Sequence, residues 1–454
     1  MSIDLRIFKA YDIRGLYPHQ LNEDAARALG HAFVAHLGAR RIAVTRDMRE
    51  SSPMLAEAFI DGALGQGADV VDYGMAATDM LYYAVARESF DGGAQITASH
   101  NPKDYNGIKL VRRQALPLSG DAGINDLRDM IANDTVPPAA GPRGHRSEAQ
   151  LLADYIEHVL SFIDPAVIHP LRLVLDAGSG MGGLVAPPLF DRLSCRTTRL
   201  CFEIDGAFPN HEANPLLEEN RRDIVNRVIA EQADAGVAWD GDADRCFFID
   251  DQGGFVPGDF VTALLAEAFL RKTTGATILY DVRASYAVKN IVMEHGGTAL
   301  MNRVGHSFFK KRMREEDALF GGEVTGHYYF RDNFYADNGF IPMLMILELL
   351  SIKKQSLSEL LAPLRDRYFI SGEINTEMAD MQSVQRILDA LAHRYRDGHV
   401  YRLDGVSIEY PDWHFNVRPS NTEPLLRLNL EGVSQDVMEE KRDQILAFIQ
   451  ERET

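Results

Sequence analysis

The sequence predicts an α/β protein made of three α/β units and a smaller C-terminal α+β unit. Three observations lead there. Strand and helix signals alternate from Asn22 onward, clusters of turn residues interrupt that alternation near 134–149 and 251–254, and from about Tyr368 the rhythm shifts toward strands. A chain of 454 residues is long enough to bury several cores without disulfide or zinc staples.

In the first unit Asn22 caps a helix whose first turn carries Glu23 and Asp24, and Gly38 stops it. Ile42–Thr45 reads as a strand. Ser52-Pro53 opens a second helix with proline at a tolerated position, Gly65 and Gly67 end it, and Asp69–Tyr73 is the next strand. This βαβ rhythm implies a largely parallel sheet covered on both faces. The stretch 134–149, DTVPPAAGPRGHRSEA, reads as an interdomain linker. A helix over Leu151–Phe162, the apolar strand Leu171–Leu175, the glycines of Ala177–Gly183 and a further helix begin the second unit. A third follows the turn Asp251-Gln252-Gly253-Gly254, with its strand at Thr277–Tyr280. The last unit has strands at Val406–Tyr410, Phe415–Arg418 and Leu425–Leu430 and ends in the charged amphipathic helix Gln435–Arg452. The boundaries expected are 1–146, 147–252, 253–366 and 367–454. Three segments, 93–111, 236–250 and 318–330, each read as strand, polar loop, strand, late in their units. If the units are related, the three loops hold equivalent places and point into one central cleft.

Composition removes several classes of function. The net charge of −19 argues against a nucleic-acid binder held by a broad basic surface, and requires that cations serving an anionic ligand be gathered locally. The three cysteines, Cys195, Cys201 and Cys246, form no CxxC pair and fit a reducing, cytoplasmic setting. The opening MSIDLRIFKAYD lacks the apolar core of a signal peptide. The longest apolar run, near Ile341–Leu350, contains Pro342 and Glu348 and is too short to span a bilayer.

Chemistry concentrates in four loops and one N-terminal segment. Asp240, Asp242 and Asp244, spaced by Gly241 and Ala243, can converge on a hard divalent cation, for which oxygen ligands favour Mg²⁺ or Ca²⁺ over zinc. An EF-hand does not fit, because Arg245 and Asp251 stand where Gly and Glu are needed. The bland reading is an exposed acidic turn, but acids hemmed by buried-type strands repel without a cation. Arg245 makes sense there if a phosphate shares the site. In Thr97-Ala98-Ser99-His100-Asn101-Pro102, Ser99 should project from a tight turn, with His100 adjoining and Lys109 on the return strand. A lone Ser-His is usually a satisfied turn; a serine facing a cation site is a plausible phosphoryl carrier. Glu323 and Thr325 in GGEVTGH alternate onto one face and suit sugar hydroxyls, against the simpler reading of a glycine-rich hairpin. Arg418, Ser420, Asn421 and Thr422 form a dense anion-binding set in a short turn, against the reading of a capped turn with an incidental arginine. Arg14, in FKAYDIRG, alone reads as solvated surface.

Together and in this order, TASHNP, DGDADR and SNTEP resemble the α-D-phosphohexomutase superfamily, nearest its bacterial phosphomannomutase/phosphoglucomutase branch, from FKAYDIRG to RPSNTEP. The resemblance implies three related α/β domains with mixed sheets and a C-terminal α+β domain around a central cleft. It implies that Ser99 carries the phosphoryl group, that Asp240, Asp242 and Asp244 hold Mg²⁺ with a phosphoserine oxygen from Ser99, and that Arg245 is the cation beside the transferring phosphate. His100 and Lys109 correspond to neighbours that position the group or move protons, and Arg14 to a further active-site arginine. Glu323, Thr325, His327, His306 and Arg283 fall to the sugar site, and Arg418, Ser420, Asn421 and Thr422 to the clamp for the phosphate not being transferred. Three positions depart from the common pattern: Thr325 where Ser is frequent, Pro419 where a small residue is usual, and Arg283 where many relatives carry Lys. None removes a charge or a ligand.

The implied activity is reversible phosphoryl transfer between C6 and C1 of a hexose, mannose and by extension glucose, through a hexose 1,6-bisphosphate that also acts as activator, supplying precursors of nucleotide sugars and polysaccharides. Lys109 and His100 both qualify as the base. Other readings are a phosphosugar phosphatase with an aspartyl nucleophile, a non-catalytic sugar-phosphate sensor and a phosphoglucosamine mutase, although in that last branch a Gln commonly follows the Glu of the GEVTGH loop. The expected partners are hexose phosphates, with no nucleic acid and no membrane; the sequence carries no sign of oligomeric state.

Overall fold

The computed structural model describes residues 3–420 and 425–453. The chain divides into two compact units, one of Met1–Val256, Met313–Asp317 and Thr325–Leu357, the other of Pro257–Arg312, Ala318–Val324 and Ser358–Thr454.

The first unit holds two sheets. Strands β1 (Ile13–Leu16), β2 (Arg41–Arg46), β3 (Asp69–Met75), β4 (Gly92–Ile96), β5 (Tyr105–Arg112), β6 (Leu116–Pro117) and β7 (Arg146–Glu148) form the first, in the order β1-β5-β4-β2-β3-β7 with β6 beside β5. The sheet is mixed: β4, β2, β3 and β7 run parallel, whereas β5 returns antiparallel to β4 and pairs antiparallel with β1. Strands β8 (Arg172–Asp176), β9 (Arg196–Leu200), β10 (Ala235–Trp239), β11 (Cys246–Asp250) and β12 (Phe255–Val256) form the second, in the order β12-β11-β10-β8-β9. The two share a topology: an antiparallel return strand, its partner, then two parallel neighbours (β5-β4-β2-β3 and β11-β10-β8-β9).

In the second unit β13 (Thr277–Asp281), β14 (Thr298–Asn302) and β15 (Phe320–Gly322) are parallel and follow the same sequence of neighbours, β15 beside β13 beside β14. The hairpin β16 (Tyr328–Phe330) with β17 (Ala336–Asp337) belongs to the first unit. The C-terminal sheet is antiparallel, ordered β18 (Phe369–Glu377), β22 (Leu425–Gly432), β21 (Trp413–Pro419), β20 (Val406–Glu409), β19 (His399–Tyr401). Its apolar face packs with helices Met381–Arg394 and Gln435–Glu453 around Leu391, Phe415 and Ile445.

Local chemistry accounts for the boundaries. The Asn22 side chain accepts the N–H of Ala25 at 3.0 Å to start helix α1 (Glu23–Leu37), and Gly38 ends it at φ 59°. Ser52 and Pro53 open α2 (Ser52–Gly65). On β4, a Cβ on Gly92 would press on Phe33 and Leu37 of α1, and one on Gly93 on Leu81 and Val85 of helix α3 (Thr78–Arg87), so successive residues face helices on opposite sides of the sheet. Helix Ile341–Lys353, the longest apolar run, is buried from Ile341 to Ser351, and its Glu348 carboxylate accepts the Asp164 N–H at 3.1 Å. Among the described residues no helix is long and apolar enough to cross a membrane.

The stretch 134–149, expected as an interdomain linker, is tied to the first sheet near its end. Arg146–Glu148 add a parallel edge strand to β3, and Arg143 and Arg146 pair with Asp61, Glu57 and Asp72. Charged side chains on the neighbouring elements give these residues partners that proline and glycine content did not reveal.

Helices α1 and α2 meet at two glycines. A Cβ on Gly30 would stand 2.2 Å from the Phe59 carbonyl oxygen, and one on Gly62 2.1 Å from that of Arg27. A methyl there must push two backbones apart, a strain of about 1–3 kcal/mol. Gly62→Ala is therefore expected to lower the calorimetric Tm; an unchanged Tm refutes this contact.

Candidate active site

The loop between β10 and β11 carries Asp240, Asp242 and Asp244. Both strands are buried at every position, so the loop is anchored at each end. The Ala243 N–H donates to the Asp240 carbonyl at 3.0 Å, and Ala243 adopts φ 59°, which folds the segment into a tight turn. The three side chains are no more than 1% exposed, and one oxygen from each lies within 4.8 Å of the others.

Like charges buried together need compensation. Lys109 Nζ, from β5, sits 2.7 Å from Asp242 Oδ2 and 2.5 Å from Asp244 Oδ2. Burial opposes its charge, but the two carboxylates outweigh that and raise its pKa, keeping it an ammonium. Arg245 Nε donates to Asp240 Oδ2 at 2.8 Å. Burial raises the pKa of Asp242, yet Lys109 outweighs it and holds the group below the carboxylate range; burial and the Asp242 charge push Asp244 up to about 6. Asp242 Oδ1 and Asp244 Oδ1 are buried without a hydrogen-bond donor. Two orphaned carboxylate oxygens in an all-oxygen set fit a hard divalent cation.

The serine loop lies directly on this turn. A Cβ on Gly241 would come within 2.5 Å of the Ser99 carbonyl oxygen, so only glycine permits the approach. Ser99 sits in the left-handed region at φ 49°, and its N–H donates to Thr97 Oγ1 at 2.9 Å. Ser99 Oγ donates to Asp240 Oδ2 at 2.7 Å and lies 3.2 Å from His100 Nδ1. Burial, Arg245 and Arg14 hold the His100 pKa well below its ordinary value, so the imidazole is neutral. Arg14, on β1, donates to the side chains of Asn101 and Asp12. His327 Nδ1 is 2.9 Å from Asp337 Oδ2 and 3.9 Å from Asp244 Oδ1, so it stands beside the acidic loop. Thr325 is half-buried in the turn before it.

The second unit contains a separate cluster of cations. Arg283 Nη2 pairs with Asp281 Oδ2 at 2.8 Å, and its Nη1 lies 3.4 Å from Glu373 Oε2. Arg418 Nη2 and Arg427 Nη1 reach Glu373 at 2.9 and 3.0 Å. Burial works against the Glu373 charge, but Arg283, Arg418 and Arg427 outweigh it and hold the pKa low. Burial and neighbouring Arg283 lower that of Arg418. Glu323 Oε2 accepts the Gly305 N–H at 3.0 Å and lies 3.7 Å from Arg283 Nη2. His306 begins the helix His306–Glu315. Ser420 is buried and its N–H donates to the Leu425 carbonyl at 2.9 Å. Asn421 and Thr422 lie outside the described residues.

Several residues of both clusters escape sequence reasoning. Arg49, 1% exposed, donates to the carbonyls of Ser99, Asn101, Pro102 and Tyr105 and pairs with Asp47, fixing the serine loop by its backbone. Thr78, opening α3, donates its hydroxyl to Asp242. Glu373 gathers the three arginines. A glutamate in a strand carries no local mark of such a role; the one available hint for Arg49 is the Asp47-Met48-Arg49 spacing just before helix α2.

Four family models match the chain: phosphoglucomutase/phosphomannomutase alpha/beta/alpha domain I over residues 5–136, domain II over 153–254, domain III over 257–368, and the C-terminal domain over 373–448. A phosphomannomutase of Escherichia coli is 41% identical, across 98% of this chain and 99% of that protein. A protein of Xanthomonas campestris pv. campestris described as phosphohexose mutases is 42% identical, across 97% of this chain and 98% of its own. The crystal structure of a phosphoglucomutase/phosphomannomutase family protein from Burkholderia thailandensis superposes with a TM-score of 0.90 at 34% identity, covering 99% of this chain and 98% of that one. With its four segments in order along one polypeptide, the chain belongs to the phosphoglucomutase/phosphomannomutase family.

Proposed function

We propose that this protein is a phosphohexomutase that interconverts hexose 6-phosphates and hexose 1-phosphates through a phosphoserine at Ser99 and a hexose 1,6-bisphosphate. The observation that carries the reading is the 2.7 Å contact of Ser99 Oγ with Asp240 Oδ2 inside a buried triad of carboxylates. A hydroxyl placed against three acids is a poor hydrolytic nucleophile unless a cation joins them, and a good carrier of a phosphoryl group when one does. The four domains are taken as 1–146, 147–252, 253–366 and 367–454, although edge strand β7 (Arg146–Glu148) of the first sheet crosses the first of these boundaries and β12 (Phe255–Val256) of the second sheet lies beyond the second. The three free thiols support a cytoplasmic setting.

In the forward half-reaction the Oγ–P bond of phosphorylated Ser99 breaks as a P–O bond forms to the free sugar hydroxyl. That hydroxyl loses its proton to a base, and Ser99 Oγ regains one. The bisphosphate then turns end over end, and the steps run in reverse with the other phosphate. A Mg²⁺ ion held by Asp240, Asp242, Asp244 and an oxygen on phosphorylated Ser99 would neutralise charge on the moving group. Neutral His100, 3.2 Å from Ser99 Oγ, exchanges the proton there. Lys109, already protonated, acts as a fixed cation with Arg245. The Arg283, Arg418 and Arg427 cluster suits a phosphate because guanidinium forks match its oxygens. Glu323 and Thr325 serve sugar hydroxyls. Mannose and glucose phosphates both fall within the proposal: they differ in one hydroxyl configuration, and a single hydrogen bond is worth only about 0.5–1.5 kcal/mol.

Coupled assays of mannose 1-phosphate and glucose 1-phosphate, with catalytic hexose 1,6-bisphosphate and Mg²⁺, are expected to show turnover of both. Ser99→Ala abolishes it without release of inorganic phosphate; retained turnover with accumulating phosphate assigns a phosphatase instead. Removal of divalent ions with EDTA is expected to stop the wild-type reaction, and Mg²⁺ to restore it; indifference to EDTA rules out the cation role of the acidic loop. Because the His100 pKa is depressed, its base form persists as pH falls, and the enzyme's acid limb in kcat/KM lies below pH 6.5, the ordinary value. His100→Asn is expected to remove that limb and to lower kcat by about 10²–10⁴; an unchanged profile assigns the proton transfer elsewhere.

A further inference from the structure

A second group of ligand-type side chains lies outside the serine and acidic loops, at the ends of β8 and β9. Asp176 closes β8, Cys201 follows β9, and His211 comes from the loop beyond. His211 Nε2 is 3.1 Å from Asp176 Oδ2 and 3.6 Å from Cys201 Sγ. The thiol sulfur, the imidazole nitrogen and a carboxylate oxygen all lie within 4.8 Å of one another. None of the three contributes to the proposed phosphoryl transfer.

The other ring nitrogen decides what this cluster is built for. His211 Nδ1 lies 2.9 Å from the Glu212 carbonyl oxygen, an acceptor, so Nδ1 carries a proton. In the neutral ring Nε2 is then a lone pair, aimed at a carboxylate and a sulfur. Either of two positive centres can sit between these three atoms. One is a proton, shared between His211 Nε2 and Asp176 Oδ2 across their 3.1 Å contact. The other is a metal ion. A histidine whose far N–H is held by a backbone carbonyl is the arrangement that orients imidazole toward a metal. Asp176 is held in turn by the Gly178 N–H, which donates to its Oδ1 at 2.9 Å and leaves Oδ2 for the cluster.

We propose that Asp176 Oδ2, Cys201 Sγ and His211 Nε2 form a binding site for a zinc-class divalent cation, separate from the acidic loop. Sulfur, imidazole and carboxylate together select zinc or cobalt over magnesium, whereas the all-oxygen acidic loop has the opposite preference. Three protein ligands leave a fourth tetrahedral position for water, consistent with side-chain exposure of 12% at His211 and 2% at Asp176. Binding releases two protons to solvent, one from His211 Nε2 and one from the Cys201 thiol, as the metal–nitrogen and metal–sulfur bonds form. The bound ion ties the loop that carries His211 to the ends of two neighbouring parallel strands.

Titration of the full-length protein with Co²⁺, in the presence of Mg²⁺, tests this directly. The expected result is a near-ultraviolet thiolate-to-cobalt charge-transfer band saturating at one ion per chain, lost on adding excess Zn²⁺. The acidic loop contains no sulfur, so cobalt bound there gives no such band. Cys201→Ser is expected to abolish the band, and Zn²⁺ is expected to raise the Tm of the wild type but not of Cys201→Ser or His211→Ala. Mutase turnover in Mg²⁺ reports that each variant is folded, and Cys195→Ser, which keeps the band, serves as a second control. Absence of the band in the wild type, or its persistence in Cys201→Ser, overturns the proposal.

Discussion

The acidic turn between β10 and β11 concentrates negative charge where water does not reach. Asp240, Asp242 and Asp244 are nearly inaccessible and close enough to repel strongly. Everything around them answers that repulsion. Lys109 bridges two of them from β5, Arg245 covers the third, and Ser99 and Thr78 donate hydroxyl hydrogens. Two carboxylate oxygens are still left over. The constraint also works backward on the fold. Lys109, Ser99 and Thr78 come from the first sheet and its helix, whereas the acids come from the second, so the turn joins two separately hydrogen-bonded sheets by charge.

Repetition of topology explains how two sheets deliver complementary groups to one place. In each, a parallel strand runs to its end, a polar loop turns, and an antiparallel strand returns. The serine loop and the acidic loop are the same structural position in two copies. One copy carries the Ser99 hydroxyl and the other the acids; β13, β14 and β15 repeat the pattern of neighbours with a glycine-rich loop following. What distinguishes the copies lies in the loop residues, while the strands beneath, β4 and β10, are alike in being buried at every position.

Much of this was legible in the residues. Asn22, Pro53 and Gly38 mark helix ends through local backbone chemistry, which needs no knowledge of distant partners. The spacing of three aspartates between apolar strands points to a cation site because buried like charges repel one another, whereas the share of that charge answered by Lys109 and Arg245 is a matter of geometry. The expectation of a largely parallel sheet came from βαβ rhythm, which is blind to a return strand that follows a loop; β5 and β1 make the first sheet mixed. Long-range partners were invisible for the same reason. Arg49 earns its place from four carbonyl groups some fifty residues further along the chain, and Arg146 from Glu57 and Asp72, none of which alters local propensity. Glu373 sits in a strand among alternating residues and looks like ordinary solvent-facing charge until the three arginines close on it.

That glutamate has a consequence of its own. With no guest present, Glu373 serves as a resident counter-ion, drawing the guanidinium groups of Arg283, Arg418 and Arg427 into a preset fork. Under the proposed function an anion meets donors already oriented and shares them with that carboxylate, so the ordering of three long side chains is done before it binds.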